Sequence, residues 1–564
     1  MDRFVSSVIT GGVLTAIALG VACGSTTSRN GFGDDPTQSV NGTFDDGGTF
    51  EAGDAGMGHA PIADPTTCEE AQQAKTYVGC DYWPTVTGNL VSDVFDFAVA
   101  VANVGSDDAH VQVTGPNGVS KSVAVAPGSL NKIILPWVAE LKGPNLIPMG
   151  ASVLSKGGAY HLVSDRPVVV YQFSPLEFRA AGGDPGKDWT KCVKLEFTAP
   201  ECYSYSNDAS LLLPSTAMTG SYRLMGSYGM SRHPLIDGTS DFDKSKPPQP
   251  GGPPYFVVTG TVDGTTVSVK LGAKGVVVAG GAISATPAGG TLTFALNAGD
   301  VAEVVGGSGR DYDFSGSLLS ADKPVQVITG VPCIDFPLDV VACDHVEETV
   351  FPAQTLGKHY VLTTPTGPKQ NKVGHVVRVY GNVDGTKLTY KPAPPSGCPS
   401  SINAGDVVDC GDEVHDDFEV SGDHEFGVGM FMIGASEADP AGGGVGKAGS
   451  QGDPSQTFAV AAEQYRLKYV FLAPTDYKTS YVDVIAPAGT KLDLDGTTVS
   501  MRLTSIAGTD WFVGRLLLDA GKDGVHTLVA DKAIGIQVIG YGDYTTYMYP
   551  GGLNLGQIAP APPH

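Results

Sequence analysis

The chain has 564 residues, 75 of them glycine and 39 proline, with only 17% charged residues and a formal net charge of -25. That balance excludes a protein built to grip a nucleic-acid backbone, which needs clustered Lys and Arg, and one that docks by charge on anionic lipid. Glycine and proline punctuate turns and weaken helix interiors, so 41% hydrophobic residues in such a chain favour many short strands packed into several cores.

In chain order, residues 1–22 read as an export signal. Arg3 gives a small positive start, and the apolar run to Ala22 is too short and glycine-rich for a membrane span. Cys23 follows small residues, as at a bacterial lipoprotein cleavage site, although Gly20 stands where Leu is usual. Lipidation of Cys23 is the expectation, with simple secretion and then an uncleaved anchor as the alternatives. Residues 23–66 are rich in Gly, Asp and Thr with few large apolar side chains, the composition of a disordered acidic tether. A short helix is expected near 69–75.

Three phrases then recur. An opener appears as LLLPSTAMTGSYRLMGSY (211–228), ETVFPAQTLGKHYVLTTPT (348–366) and AEQYRLKYVFLAPT (462–475). A hairpin phrase centres on Asp-Gly in TGTVDGTTVSVKLG (259–272), YGNVDGTKLTYKP (380–392) and LDLDGTTVSM (492–501), with a looser copy at 103–118. Asp-Gly tolerates the positive φ of tight hairpins. A closing phrase sets a polar turn before an apolar strand: SDRPVVVYQFSP (164–175), SADKPVQVITGVP (320–332), SGDHEFGVGMFMIGA (421–435) and ADKAIGIQVIGYG (530–542). Four β modules are expected, at 67–207, 208–347, 348–456 (with a linker) and 457–549, followed by a disordered tail at 550–564. The fold class is all-β, with tandem β-sandwich-like modules; a β-propeller-like array of sheets is the alternative.

Apart from Cys23, eight cysteines remain, and as sequence neighbours they pair with similar short separations: Cys68 with Cys80, Cys192 with Cys202, Cys333 with Cys343, and Cys398 with Cys410. No C-x₂-C pair occurs and no His stands at ligand spacing, so disulfides in an oxidising compartment are expected rather than zinc.

Catalytic motifs do not emerge. His424-Glu425 lacks the second His of a metalloprotease helix, no G-x-S-x-G elbow occurs, and AGGGVGKA (441–448) departs from a phosphate loop at both ends. The acidic segment 405–425 offers Asp406, Asp409, Asp412, Asp416 and Asp417 as candidate Ca²⁺ ligands. Their spacing matches no EF-hand, and a solvated acidic face is the competing reading. The loop CIDFPLDVVACDH (333–345) offers Asp335, Asp339, Asp344 and His345 as candidate recognition residues, since loops on rigid scaffolds often carry binding.

The closing strand 320–332, the acidic cysteine loop 333–353, GKHYVLTTP (357–365), VVVYQFSPLEF (168–178) and DASLLLPSTAM (208–218) together resemble the IgGFc-binding protein N-terminal domain family. The resemblance spans most of the chain, from Cys80 to Tyr549, and is one of strand-and-turn grammar rather than of catalytic residues. It implies an extracellular binding or matrix role, carries over no Fc-contacting residue, and leaves the ligand open. The reading is therefore of a non-enzymatic, exported surface protein that recognises protein or glycan partners through loops of β modules and meets a membrane only through a lipid anchor. A self-associating structural component is the alternative, and a hydrolase with carboxylates gathered from distant strands is a third.

Overall fold

The computed structural model describes residues 64–563, apart from 178–179, 181–186, 194–201, 205, 237–241, 341–342, 441–449, 476, 501–502, 520 and 522–523. The expected export signal, Cys23 and nearly all of the expected tether lie outside the described residues. The expected helix forms as Cys68–Ala74, started by a capping box between Thr67 and Glu70. Everything larger is β-structure, arranged as one topology repeated four times.

In the first unit an opening strand (Gly79–Tyr82) is followed by four short strands (Phe97–Asn103, Ala109–Gly115, Val119–Val125, Leu130–Leu135), a long strand (His161–Ser174) and an inner strand (Asp208–Leu211). The long strand bends. Its first half pairs with the opening and second strands, and its second half with the first and inner strands. The third strand then joins the second, and the fourth joins the first. Two half-sheets thus share one strand and curl into a sandwich. The same pairings recur about the long strands Leu318–Ile334 and Val525–Gly542. In the third unit the long strand is divided into Phe418–Gly422 and Phe426–Met432, which separates its halves into two four-stranded sheets.

The polar closing phrase therefore marks the bend within a strand rather than the strand's beginning. An Asp at each bend captures a backbone N–H of the second strand. Asp165 accepts from His110 (2.7 Å), Asp322 from Thr266 (2.8 Å), Asp423 from Lys387 (2.7 Å) and Asp531 from Lys491 (2.8 Å). A tyrosine of each opening strand locks the same bend from inside. The buried hydroxyls of Tyr82, Tyr222, Tyr360 and Tyr469 donate to the carbonyls of Val168, Val325, Phe426 and Ile534 at 2.5–2.7 Å. A bent strand leaves carbonyls outside the ladder, and a buried one needs a donor.

The inner strands Asp208–Leu211, Asp344–Thr349, Gln456–Phe458 and Thr545–Pro550 touch in a closed cycle, each packing on the next and the fourth on the first. The four sandwiches thus surround a common axis, so the sandwich and the propeller-like array describe two levels of one structure. One apolar core runs from Tyr77 to Leu555 through all four units. The inner strand Asp208–Leu211 pairs with the unit before it, across the expected boundary at 207/208.

The tail does not fit the expectation of disorder. Leu553 and Leu555 are buried, Tyr77 donates to the Leu553 carbonyl (3.3 Å), and Leu555 donates to Lys75 (2.9 Å). Composition hid this, because the two leucines find their apolar surroundings only where the chain's ends meet. That contact closes the ring between the first and fourth units.

Candidate functional site

Two connections per unit gather at one end of the axis. One runs from the opening strand to the first strand (83–96, 224–254, 363–374, 473–478); the other runs from the long strand to the inner strand (175–207, 335–343, 433–455, 543–544). Because the topology repeats, all eight emerge on the same face. In every unit an ion pair clasps the two connections together. Lys187 reaches Asp96 and Glu177 (both 2.6 Å), and Arg232 grips Asp335 with two nitrogens (Nε–Oδ2 2.8 Å). Lys369 pairs with Asp439, and Lys478 with Asp543. The first two clasps are buried and the last two half-exposed, so removing a partner costs most in the first two units. Burial and the adjacent Asp96 push the Glu177 carboxyl up to about 7, even with Lys187 beside it.

Two of the long connections carry disulfides, Cys192–Cys202 and Cys333–Cys343. The other two expected bridges form elsewhere: Cys68–Cys80 ties the short helix to the opening strand, and Cys398–Cys410 closes a loop on the third unit's outer strands. The crown's outer surface includes Val193 and Ile236, two of the few large exposed apolar side chains, and the exposed stretch Lys244–Pro250.

Beneath the crown, carboxylates are buried at the mouth of the axis. Asp208 accepts from Glu347 N (2.9 Å), Ser455 Oγ (3.1 Å) and Gln456 N (3.4 Å), joining three units through one side chain. Asp344 takes its own neighbour's N–H, from His345 at 2.7 Å, while its Oδ2 has no partner among the described residues. Asp453 is fully buried, and neither of its oxygens is hydrogen-bonded among the described residues. Burial drives the Asp344 and Asp453 carboxyls well above the usual carboxylate range, and the first is raised further by Asp208 and the second by Asp344.

The candidate recognition residues of 333–345 are placed largely inside. Asp335 is buried against Arg232, Asp339 accepts from His233 N (2.9 Å) with its ring Nδ1 at 2.7 Å, and Asp344 and His345 have no exposed surface. Phe336 packs on Phe431 (4.7 Å between rings), which anchors the loop across units.

The candidate Ca²⁺ ligands are not brought together. Asp406 is a turn residue accepting from Asn403 N (3.0 Å), as Asp300 does from Asn297 in the same NAGD sequence one unit earlier. Asp409 binds Arg378 (2.6 Å), which also holds Asp313 (2.7 Å). Asp417 is clamped by Arg515 (2.6 Å) and Lys372 (2.9 Å). Although burial pushes its pKa up, those cations outweigh it and hold the carboxyl below its ordinary value. Asp412 and Asp416 are exposed. Among the described residues no group of three or more His, Cys, Asp or Glu is arranged to hold a metal ion. The spread follows from strand alternation and from basic partners supplied by distant segments.

Sequence reasoning missed the axial carboxylates, although a signal was present. Each inner strand is preceded or begun by Asp after a turn-favouring or loop-closing residue: Asn207-Asp208, Cys343-Asp344, Gly452-Asp453 and Gly542-Asp543.

No helix among the described residues is long and apolar enough to cross a membrane. A family model described as IgGFc binding protein matches residues 208–540, more than half of the chain. No curated protein and no solved structure matches it.

Proposed function

The chain belongs to the IgGFc binding protein family, and from that premise we propose that it is an extracellular protein-binding module that captures its partner with the crown of clasped connections. The observation that carries this reading is the convergence of eight connections on one face, braced by an ion pair in each unit and by two disulfides. A rigid scaffold that presents loops of unequal length at one end pre-orders a contact surface, so less ordering entropy is lost on association. Val193 and Ile236 supply apolar anchors on that surface, at 39% and 46% exposure. Four disulfides fit folding in an oxidising compartment. Export through residues 1–22 and anchoring by a lipid on Cys23 complete the proposal, with the acidic stretch after Cys23 as a tether.

The first ligand to test is the Fc fragment of IgG, because the family's description names it; a panel of extracellular proteins and glycans follows. The expected result is saturable binding by the full folded chain that falls at least tenfold in Ile236→Asp or Val193→Asp, with unfolding midpoints unchanged. Saturable binding that both variants retain would move the site off the crown. No saturable ligand in the whole panel would count against the function.

A further inference from the structure

We propose that the axis mouth is a proton-held latch: Asp344 and Asp453 sit there as neutral carboxylic acids, and their ionisation as pH rises frees residues 450–455 from the axis. Both side chains are fully buried, and three of their four oxygens have no hydrogen-bond partner among the described residues. A carboxylate cannot persist without solvent, donors or a counter-charge, whereas the neutral acid can.

Beside Asp344 on its own strand, the buried His345 ring lies 3.3 Å from the Glu347 carboxylate. Asp453 faces Asp344, Asp335 and Arg232, but Arg232 is already committed to Asp335 through two nitrogens. Asp344 faces Asp208 and is approached by the backbone N–H groups of His345 and Asn207. Asp335 has Asp339 beside it, which is held by His233. Lys369 and Lys478, the clasp cations of the third and fourth units, are bound to Asp439 and Asp543. Among these described residues no cation is left to pair with a second or third carboxylate, and the described residues form no metal-holding group. Protons are the neutralising species left.

The segment that ionisation would displace is also defined. Residues 450–453 are zipped onto the fourth unit by Tyr544 N to Ser450 O (2.9 Å), Gly452 N to Gly542 O (3.2 Å) and Asp453 N to Thr546 Oγ1 (2.6 Å). An ionised Asp453 is repelled by Asp344 and Asp335 and gains solvent only by leaving, which breaks these three bonds. The sign is that of a carboxyl raised in the folded state. Its contribution is full below the unfolded value of about 3.9 and is lost as pH rises toward the folded value. Within that window each such group lowers the folding constant about tenfold per pH unit.

The test uses the full chain with its disulfides intact. Difference infrared spectroscopy across pH 5 to 10 reads protonated carboxyls directly, and hydrogen exchange reads residues 450–456. Expected are a carboxylic-acid band at neutral pH that bleaches on alkalinisation, and faster exchange of 450–456 in step with it. In Asp344→Asn and Asp453→Asn the band weakens, and their folding constants fall less steeply with pH than that of the parent. Absence of the band at neutral pH, or an unchanged slope in both variants, would overturn the latch. So would stoichiometric binding of added Ca²⁺ that protects 450–456 at neutral pH, since a cation would then do the neutralising. The latch needs no partner, so its failure would leave the binding reading standing, and the reverse.

Discussion

Replacing Tyr360 with Phe removes one oxygen and nothing else from the third unit's bend. That oxygen donates to the Phe426 carbonyl at 2.6 Å and accepts from Gly357 N at 3.1 Å, and the side chain is 1% exposed. Each lost bond is worth about 1 kcal/mol net, and each buried group left without a partner costs about 1–3 kcal/mol. Two groups are left without partners, the Phe426 carbonyl and the Gly357 N–H, so the expected loss is about 2–6 kcal/mol in guanidinium unfolding, with the m value unchanged because the same surface is exposed. Because the apolar cluster around Tyr360 also takes in Tyr481, Ile539 and Met548 of the fourth unit, the loss should shift the shared transition rather than split off the third unit. Tyr222→Phe and Tyr469→Phe should match it. Their hydroxyls also donate across the bend and accept from Thr219 N (3.2 Å) and Arg466 N (3.1 Å). A loss below about 0.5 kcal/mol in all three would show that water or a shifted backbone satisfies the bend, and that the tyrosines merely fill space.

Further predictions follow from single contacts. Asp417→Asn should cost about 2–3 kcal/mol by leaving Arg515 uncompensated. Because this carboxyl is held low, its contribution in the parent is present above about pH 3.9 and lost as pH falls below it, which acid unfolding of parent and variant would show. Removing the Cys333–Cys343 bridge as a Cys→Ala pair should cost about 2.5–3 kcal/mol by the loop-closure estimate, and non-reducing peptide mapping should recover all four local links in the parent. Chelation with EGTA should leave the melting temperature within about 1 °C, because Asp409 and Asp417 already have cationic side chains as partners; a larger drop would restore calcium to the segment 405–425. Cys23→Ser should move the protein from the membrane fraction to the medium; an unchanged distribution would exclude the lipid anchor.

The sequence alone determined what is local. Turn chemistry at Asp-Gly, the short cysteine separations and the repeated order of phrases are set within a dozen or so residues, where φ preferences and chain connectivity act directly. They yield strands, hairpins, disulfide loops and the number of units without reference to anything distant. The capture of a strand by Asp322 or Asp423 was present in the repeated polar phrase, but its meaning as a bend was not, since only the partner strand shows that pairing continues on both sides. Tertiary structure decided what depends on summed burial and on charges from far along the chain. Asp417 became a clamped counter-ion because Arg515 arrives from the fourth unit. Leu553 and Leu555 became core because the first unit's Lys75–Tyr77 lies against them. Asp453 became fully buried, with neither oxygen hydrogen-bonded among the described residues, because segments distant in sequence pack around it, and a sequence carries no record of how much solvent such packing removes.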